Sequence, residues 1–180
     1  MARAKLDAIA LLKEDHRKVE GLFEQFEKAR KPDRKEALAK EICTELMVHA
    51  SIEEEIFYPS CNSEVEEDLL NEAYVEHDGA KVLIAEISRG SSGDEFFDAK
   101  VKVLAEMIKH HVKEEEKRSE GLFAQAKEAG LDMDALGERM QARKQELLAE
   151  FKSAGLPTPE TRSFHGPELK TGAPLQEPAY

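Results

Sequence analysis

Six residues of this 180-residue chain have types and spacings that suit metal chemistry: His16, His49, Glu53, His77, His111 and Glu115. His49 and Glu53 are four positions apart, as are His111 and Glu115. On a helix such pairs project from one side, a turn apart. His16 and His77 each sit inside an apolar stripe. Ile9, Leu12, His16, Val19 and Phe23 step by three and four, as do Leu70, Ala73, His77, Ala80 and Ile84. These steps put each set on one helix face. A lone histidine there is more often an ordinary core residue, and a lone His-x-x-x-Glu is often a surface pair. Here, however, the whole arrangement occurs twice. His16 precedes His49 by 33 residues, and His77 precedes His111 by 34. Two carboxylates and four imidazoles in an apolar core are hard to satisfy without a metal. Imidazole suits iron, zinc, copper and nickel, and carboxylate can bridge two ions. Six convergent N/O ligands exceed the four of a structural zinc site. A dinuclear centre with positions left for water or a small ligand is the natural reading.

The elements that must position these groups are helices over about 7–29, 33–58, 63–89, 94–128 and 132–155. Asp7 is a plausible cap for the first, and Asp33 with Glu36 reads as a capping box for the second. Ser63 with Glu66 opens the third, and Gly90-Ser91-Ser92-Gly93 is a turn. On the fourth, Leu104, Ile108, His111, Glu115 and Leu122 share a face. Gly130 closes that helix. Helices one and two mirror helices three and four, so the fold expected is all-α: an up-down-up-down four-helix bundle over 1–130. A further helix over 131–155, with Leu136, Met140, Leu147, Leu148 and Phe151, packs over it. Five of the seven prolines follow Leu156. Residues 156–180 lack apolar periodicity and are expected to form a disordered tail.

The balance of 38 acids against 26 bases gives a net charge of −12. That argues against nucleic acid and anionic membrane as partners. The longest apolar run, 8–12, cannot span a bilayer, and no signal-peptide core is visible, so the cytoplasm is the expected compartment. Cys43 is expected to be a small buried hydrophobe, and Cys61, after Pro59, to be exposed and oxidisable. His110 reads as a solvated or outer residue. Glu54, Glu55, Glu114 and Glu116 read as solvated acidic faces.

The segments Glu14-Asp15-His16, His49 to Pro59, Glu76-His77-Asp78 and His110 to Glu116 resemble the hemerythrin-like HHE cation-binding family. The complete H…HxxxE…H…HxxxE pattern is present over roughly residues 6–129. The resemblance implies a bundle holding two non-haem iron ions, oxo- or hydroxo-bridged. His16, His49, His77 and His111 would be terminal ligands, and Glu53 and Glu115 would bridge. Oxygen-carrying members have a second histidine one turn after the third-helix ligand, where this chain has Lys81. The pair would then be more open, or filled by water or a neighbour such as Tyr74, which argues against bulk oxygen carriage. The function expected is binding or sensing of oxygen, nitric oxide or peroxide, with a link to iron handling or oxidative stress, by a monomer or homodimer. The alternatives are a di-iron enzyme with peroxidase, catalase-like or nitric-oxide-reducing activity, and a bundle merely stapled by metal. No Glu-x-x-His, HExxH, Gly-rich phosphate loop or GxSxG motif competes.

Overall fold

The computed structural model describes residues 6–166, 170 and 172. Its described residues form helices α1 (Ala8–Lys28), α2 (Pro32–Ile52), α3 (Tyr58–Cys61), α4 (Glu67–Arg89), α5 (Phe97–Glu115), α6 (Leu122–Glu128) and α7 (Met133–Ala154). A single π-helical turn, Glu53–Phe57, joins α2 to α3. No strand occurs among the described residues.

Helix α1 starts as its sequence suggests, with the Asp7 carboxylate accepting from the Ala10 amide at 2.7 Å. The start of α2 differs from the expected capping box. Pro32 occupies the first turn, where a missing N–H is harmless and a fixed φ is favourable. Glu36 instead accepts from the Ser92 amide and hydroxyl, clamping α2 to the turn after α4. Ser63 is no cap either. It takes φ 66°, and α4 begins only after Glu66, whose amide donates to Gln125 Oε1.

The long fourth helix expected over 94–128 is broken into α5 and α6, so Leu122 does not continue the face of Glu115. The chain folds back at Gly121. A Cβ there would lie 2.6 Å from the Glu115 carbonyl and 2.7 Å from Lys117 backbone atoms. Only glycine allows this approach, and it drops Leu122 and Phe123 into the core. Helix α7 does begin at its Asp132 cap.

α1 packs on α2, α4 on α5, and α2 and α1 close the ring against α4 and α5. The short connections make neighbours antiparallel, which gives the four-helix bundle. α7 lies across α1 and α2, burying Leu136, Met140, Leu147 and Phe151. It comes so close that a Cβ on Gly137 would collide with the Leu6 carbonyl. Residues 157–165, expected to be disordered, are irregular yet anchored. The Asp78 carboxylate accepts from the Arg162 and Ser163 amides and from the Ser163 hydroxyl. Most residues beyond Gly166 lie outside the described part of the chain. Among the described residues no helix is long and apolar enough to cross a membrane.

Candidate metal centre

The bundle brings all six predicted groups together in its interior. His16, His49, His77, His111, Glu53 and Glu115 are all buried, Glu53 completely. The histidines meet in pairs through their Nε2 atoms: His16 and His49 are 3.1 Å apart, and so are His77 and His111. Each pair comes from one helical hairpin. The carboxylates tie the pairs together. Glu53 Oε2 lies 3.1 Å from His49 Nε2 and 3.3 Å from His77 Nε2. Glu115 Oε2 lies 3.4 Å from His16 Nε2 and 3.6 Å from His111 Nε2. Each carboxylate therefore touches one imidazole of each pair, which is the disposition a bridging ligand needs.

A second shell of acids faces the other ring nitrogens. His16 Nδ1 is 2.7 Å from Glu116, His77 Nδ1 is 3.0 Å from Glu54, and His111 Nδ1 is 2.7 Å from Glu76. Asp15 stands 3.7 Å from His49 Nδ1. A carboxylate at Nδ1 fixes the tautomer and leaves Nε2 as the bare ligand atom. Three of these acids have a cationic partner, Arg17 for Glu116, Lys81 for Glu54 and Lys144 of α7 for Asp15, and Glu76 has His110 beside it. These acids follow the repeat too. Asp15 and Glu76 directly precede the single histidines, and Glu54 and Glu116 directly follow the paired glutamates. That regularity was visible in the sequence, yet Glu54 and Glu116 read there as solvated faces. Side-chain periodicity misleads here because a neighbour of a core residue sits at the helix boundary, where a long carboxylate can reach inward.

Tyr58 is a further residue that periodicity hid. Its hydroxyl donates to Glu115 Oε1 at 2.9 Å and lies 3.3 Å from His77 Nε2. A regular helix puts residues 53 and 58 on different faces. The π turn adds a residue to the turn and swings Tyr58 onto the side of Glu53, 3.4 Å away. Tyr74, offered as a gap-filling ligand, instead packs edge-on against the Tyr58 ring. Lys81 pairs with Glu54 and Asp78 and supplies no ligand. His110 stays exposed, as expected. Cys61, expected to be exposed, is buried, because the helical path runs through Pro59 to include it. Burial, then Glu115 and Glu53, push its thiol up to about 12.

The electrostatics demand cations. With Nδ1 of His16, His77 and His111 engaged by carboxylates, Nε2 atoms of the paired rings face each other, and a proton or a metal must lie between them. In the metal-free protein, protons take that place. Burial favours the neutral ring, but Glu53 and Asp15 outweigh it and raise His49 to about 10. Against the same burial, Glu53 and Glu54 raise His77 to about 9. Glu53 is held well below the carboxylate range by His49 and His77 in spite of its burial. Even so, Glu53 Oε1, Glu115 Oε2, Asp15 Oδ2 and His49 Nδ1 remain buried without a hydrogen-bond partner. Such orphaned oxygens between imidazoles fit a metal site. His16, His49, Glu53 and Glu115 are close enough to hold one ion, and Glu53, His77 and His111 another.

Residues 7–123 match the Hemerythrin HHE cation binding domain family. The chain belongs to this family. All six groups of the centre fall inside the matched region. The HHE domain is also 31% identical over 106 residues to a DNA nickase of Nostoc sp., covering 59% of this chain and 30% of that protein. It thus spans less than a third of that relative's length. In three dimensions it resembles the crystal structure of a Hemerythrin HHE cation binding domain-containing protein from Mycobacterium kansasii. The TM-score is 0.69 at 23% identity, over 84% of this chain and 95% of that one. This likeness supports the fold, and the family match with the clustered His and Glu side chains supports metal binding.

Beside the four rings lies a small cavity of about 20 Å³, lined by Asp15, Lys81 and the imidazoles as well as by apolar side chains including Val19, Leu46, Ile84 and Val112. A single water needs roughly 10–15 Å³ by this measure, so the space suits a water-sized ligand.

Proposed function

We propose that this HHE domain holds two iron ions and binds or senses a small oxidant: oxygen, nitric oxide or peroxide. The reading is carried by the paired Nε2 atoms with Glu53 and Glu115 between them. Imidazole and carboxylate together suit iron, and four histidines with two shared carboxylates serve two ions. His16, His49, His77 and His111 would be the terminal ligands, and Glu53 and Glu115 the bridges. When bound, a ferrous pair supplies two electrons and a Lewis-acidic position for the oxidant.

The protein does the rest. Asp15, Glu54, Glu76 and Glu116 orient the rings and raise their basicity through Nδ1. The small cavity beside the rings favours a small ligand. Lys81, which brings an ammonium and no lone pair while protonated, leaves room for an external ligand. The net charge of −12 disfavours a nucleic-acid backbone as partner, so a small ligand is the partner proposed, and the cytoplasm is the compartment proposed.

Turnover is the second reading, and Tyr58 favours it. Burial, then Glu115 and Glu53, hold its phenol well above 10, so it keeps its proton at neutral pH. It is a proton donor placed among the ligands, which reduction of peroxide would use.

The test is anaerobic loading with ferrous iron, metal analysis, and absorption spectra before and after adding oxygen or nitric oxide. Two irons per chain and a new near-ultraviolet or visible band are expected. In His49→Ala or Glu53→Ala, bound iron should fall by at least one ion per chain. Full iron content in both variants would overturn the ligand assignment.

A further inference from the structure

Lys81 is buried, and its ammonium is committed to two carboxylates. Its ammonium lies 2.7 Å from Glu54, which in turn holds His77 Nδ1. On its other side, 3.5 Å away, is Asp78 Oδ1, 1% exposed. The remaining oxygen of Asp78 is occupied entirely by the segment after α7. It accepts from the Arg162 amide at 2.8 Å, the Ser163 amide at 2.5 Å and the Ser163 hydroxyl at 2.7 Å. A buried carboxylate with three donors is a fixed point, since losing them leaves it unsatisfied. A second contact runs parallel. The Arg162 guanidinium sits 4.7 Å over the Tyr74 ring, and Tyr74 packs on Tyr58, which bonds Glu115. The first path ends at His77 through Glu54, and the second reaches it through the Tyr58 hydroxyl, 3.3 Å from His77 Nε2. His49, in the other pair, has Lys144 of α7 in the role that Lys81 plays here.

We infer that residues 157–165 are a strap that belongs to the metal centre: docked on Asp78, it positions Lys81 and Glu54 so that His77 holds its ion. The inference rests on the two-metal reading above and assigns the strap to one of the two ions, the one between His77 and His111. Arg162, Ser163, Asp78 and Lys81 are positioning residues, because none touches a ligand atom directed at the metal.

The test uses the full chain and Ser163→Pro, which removes both donors of that residue without touching a helix. Protein loaded with ferrous iron is mixed with a ferrous chelator, and iron release is followed in time. One of two irons should leave about tenfold faster than in the parent, the size expected for a lost outer-shell contact. The other should leave at the parental rate. Asp78→Ala should give the same fast phase, and Ser163→Pro should add nothing in that background. Amide exchange supplies a readout without metal: the Arg162 and Ser163 amides should be protected in the metal-free parent and unprotected in Asp78→Ala. Parental release of both irons from Ser163→Pro would overturn the inference, as would equal acceleration of both. A parent that holds fewer than two irons would instead refute the two-metal reading, before any variant is made.

Discussion

At the scale of single residues, the centre is a set of ligands whose far sides are already committed. Glu116 illustrates the logic. It accepts from His16 Nδ1 and is pinned by Arg17. Glu116→Gln keeps the shape and removes the charge, so the His16 ring becomes a poorer donor. Metal affinity should fall about 10- to 100-fold, as outer-shell losses do, with stoichiometry unchanged at saturation. Competition against a chromophoric chelator would measure it, and an unchanged affinity would show that Glu116 is a bystander. Tyr58→Phe asks a different question. The ring contacts with Phe57 and Tyr74 survive, but Glu115 Oε1 loses its only donated bond. In the metal-free protein this should cost about 1–3 kcal/mol, the desolvation of an unsatisfied buried group, read by denaturant unfolding. Bound iron should stay at the parental level. A slower reaction with peroxide at full iron content would favour turnover, whereas an unchanged rate would return Tyr58 to a structural role.

At the scale of elements, the irregular joints do the positioning. The π turn sets Tyr58, and the fold-back at Gly121 sets Phe123, whose ring stacks on His16 at 5.8 Å. Gly121→Ala would drive a Cβ into backbone atoms of Glu115 and Lys117, which cannot swing aside as a side chain would. The expected penalty is about 1–3 kcal/mol, typical of overpacking, and α6 should lift away from His16. Thermal unfolding together with the near-ultraviolet signal of Phe123 and its neighbours would detect both. These joints also mark the limit of sequence reading. The bundle and the six inward groups were legible because 3.6-residue periodicity is an average that long amphipathic helices obey. Leu122 and Cys61 were misplaced, and Tyr58 was missed, because each lies just after a point where the period breaks. No local propensity announces a π turn, and one glycine at 121 looks like any glycine in a helix. The docking of 157–165 on Asp78 was equally invisible, since composition reports the entropy of a segment and not the partner that offsets it.

At the scale of the whole molecule, the centre makes stability depend on pH differently with and without metal. In the metal-free protein His49 is raised to about 10 and His77 to about 9, against 6.5 for a free imidazole. A group whose folded value is raised contributes stability that is complete below the unfolded value and is lost as pH climbs through the folded one. The metal-free chain should therefore become less stable from about pH 6.5 to 10. Glu53 acts at the other end: its lowered value stabilises the fold above the carboxylate range and loses that contribution in acid. The stability of the empty protein should thus peak in mildly acidic solution. Metal removes the alkaline limb. Binding requires neutral imidazoles, so it expels the protons on His49 and His77, and apparent affinity should rise with pH across the same window. Because a ligand that binds only the folded state stabilises in proportion to the logarithm of its affinity, the gap in Tm between loaded and empty protein should widen with pH. Paired thermal melts at pH 6, 7.5 and 9 would measure it. A gap that narrows with pH would mean that these histidines do not exchange protons for metal.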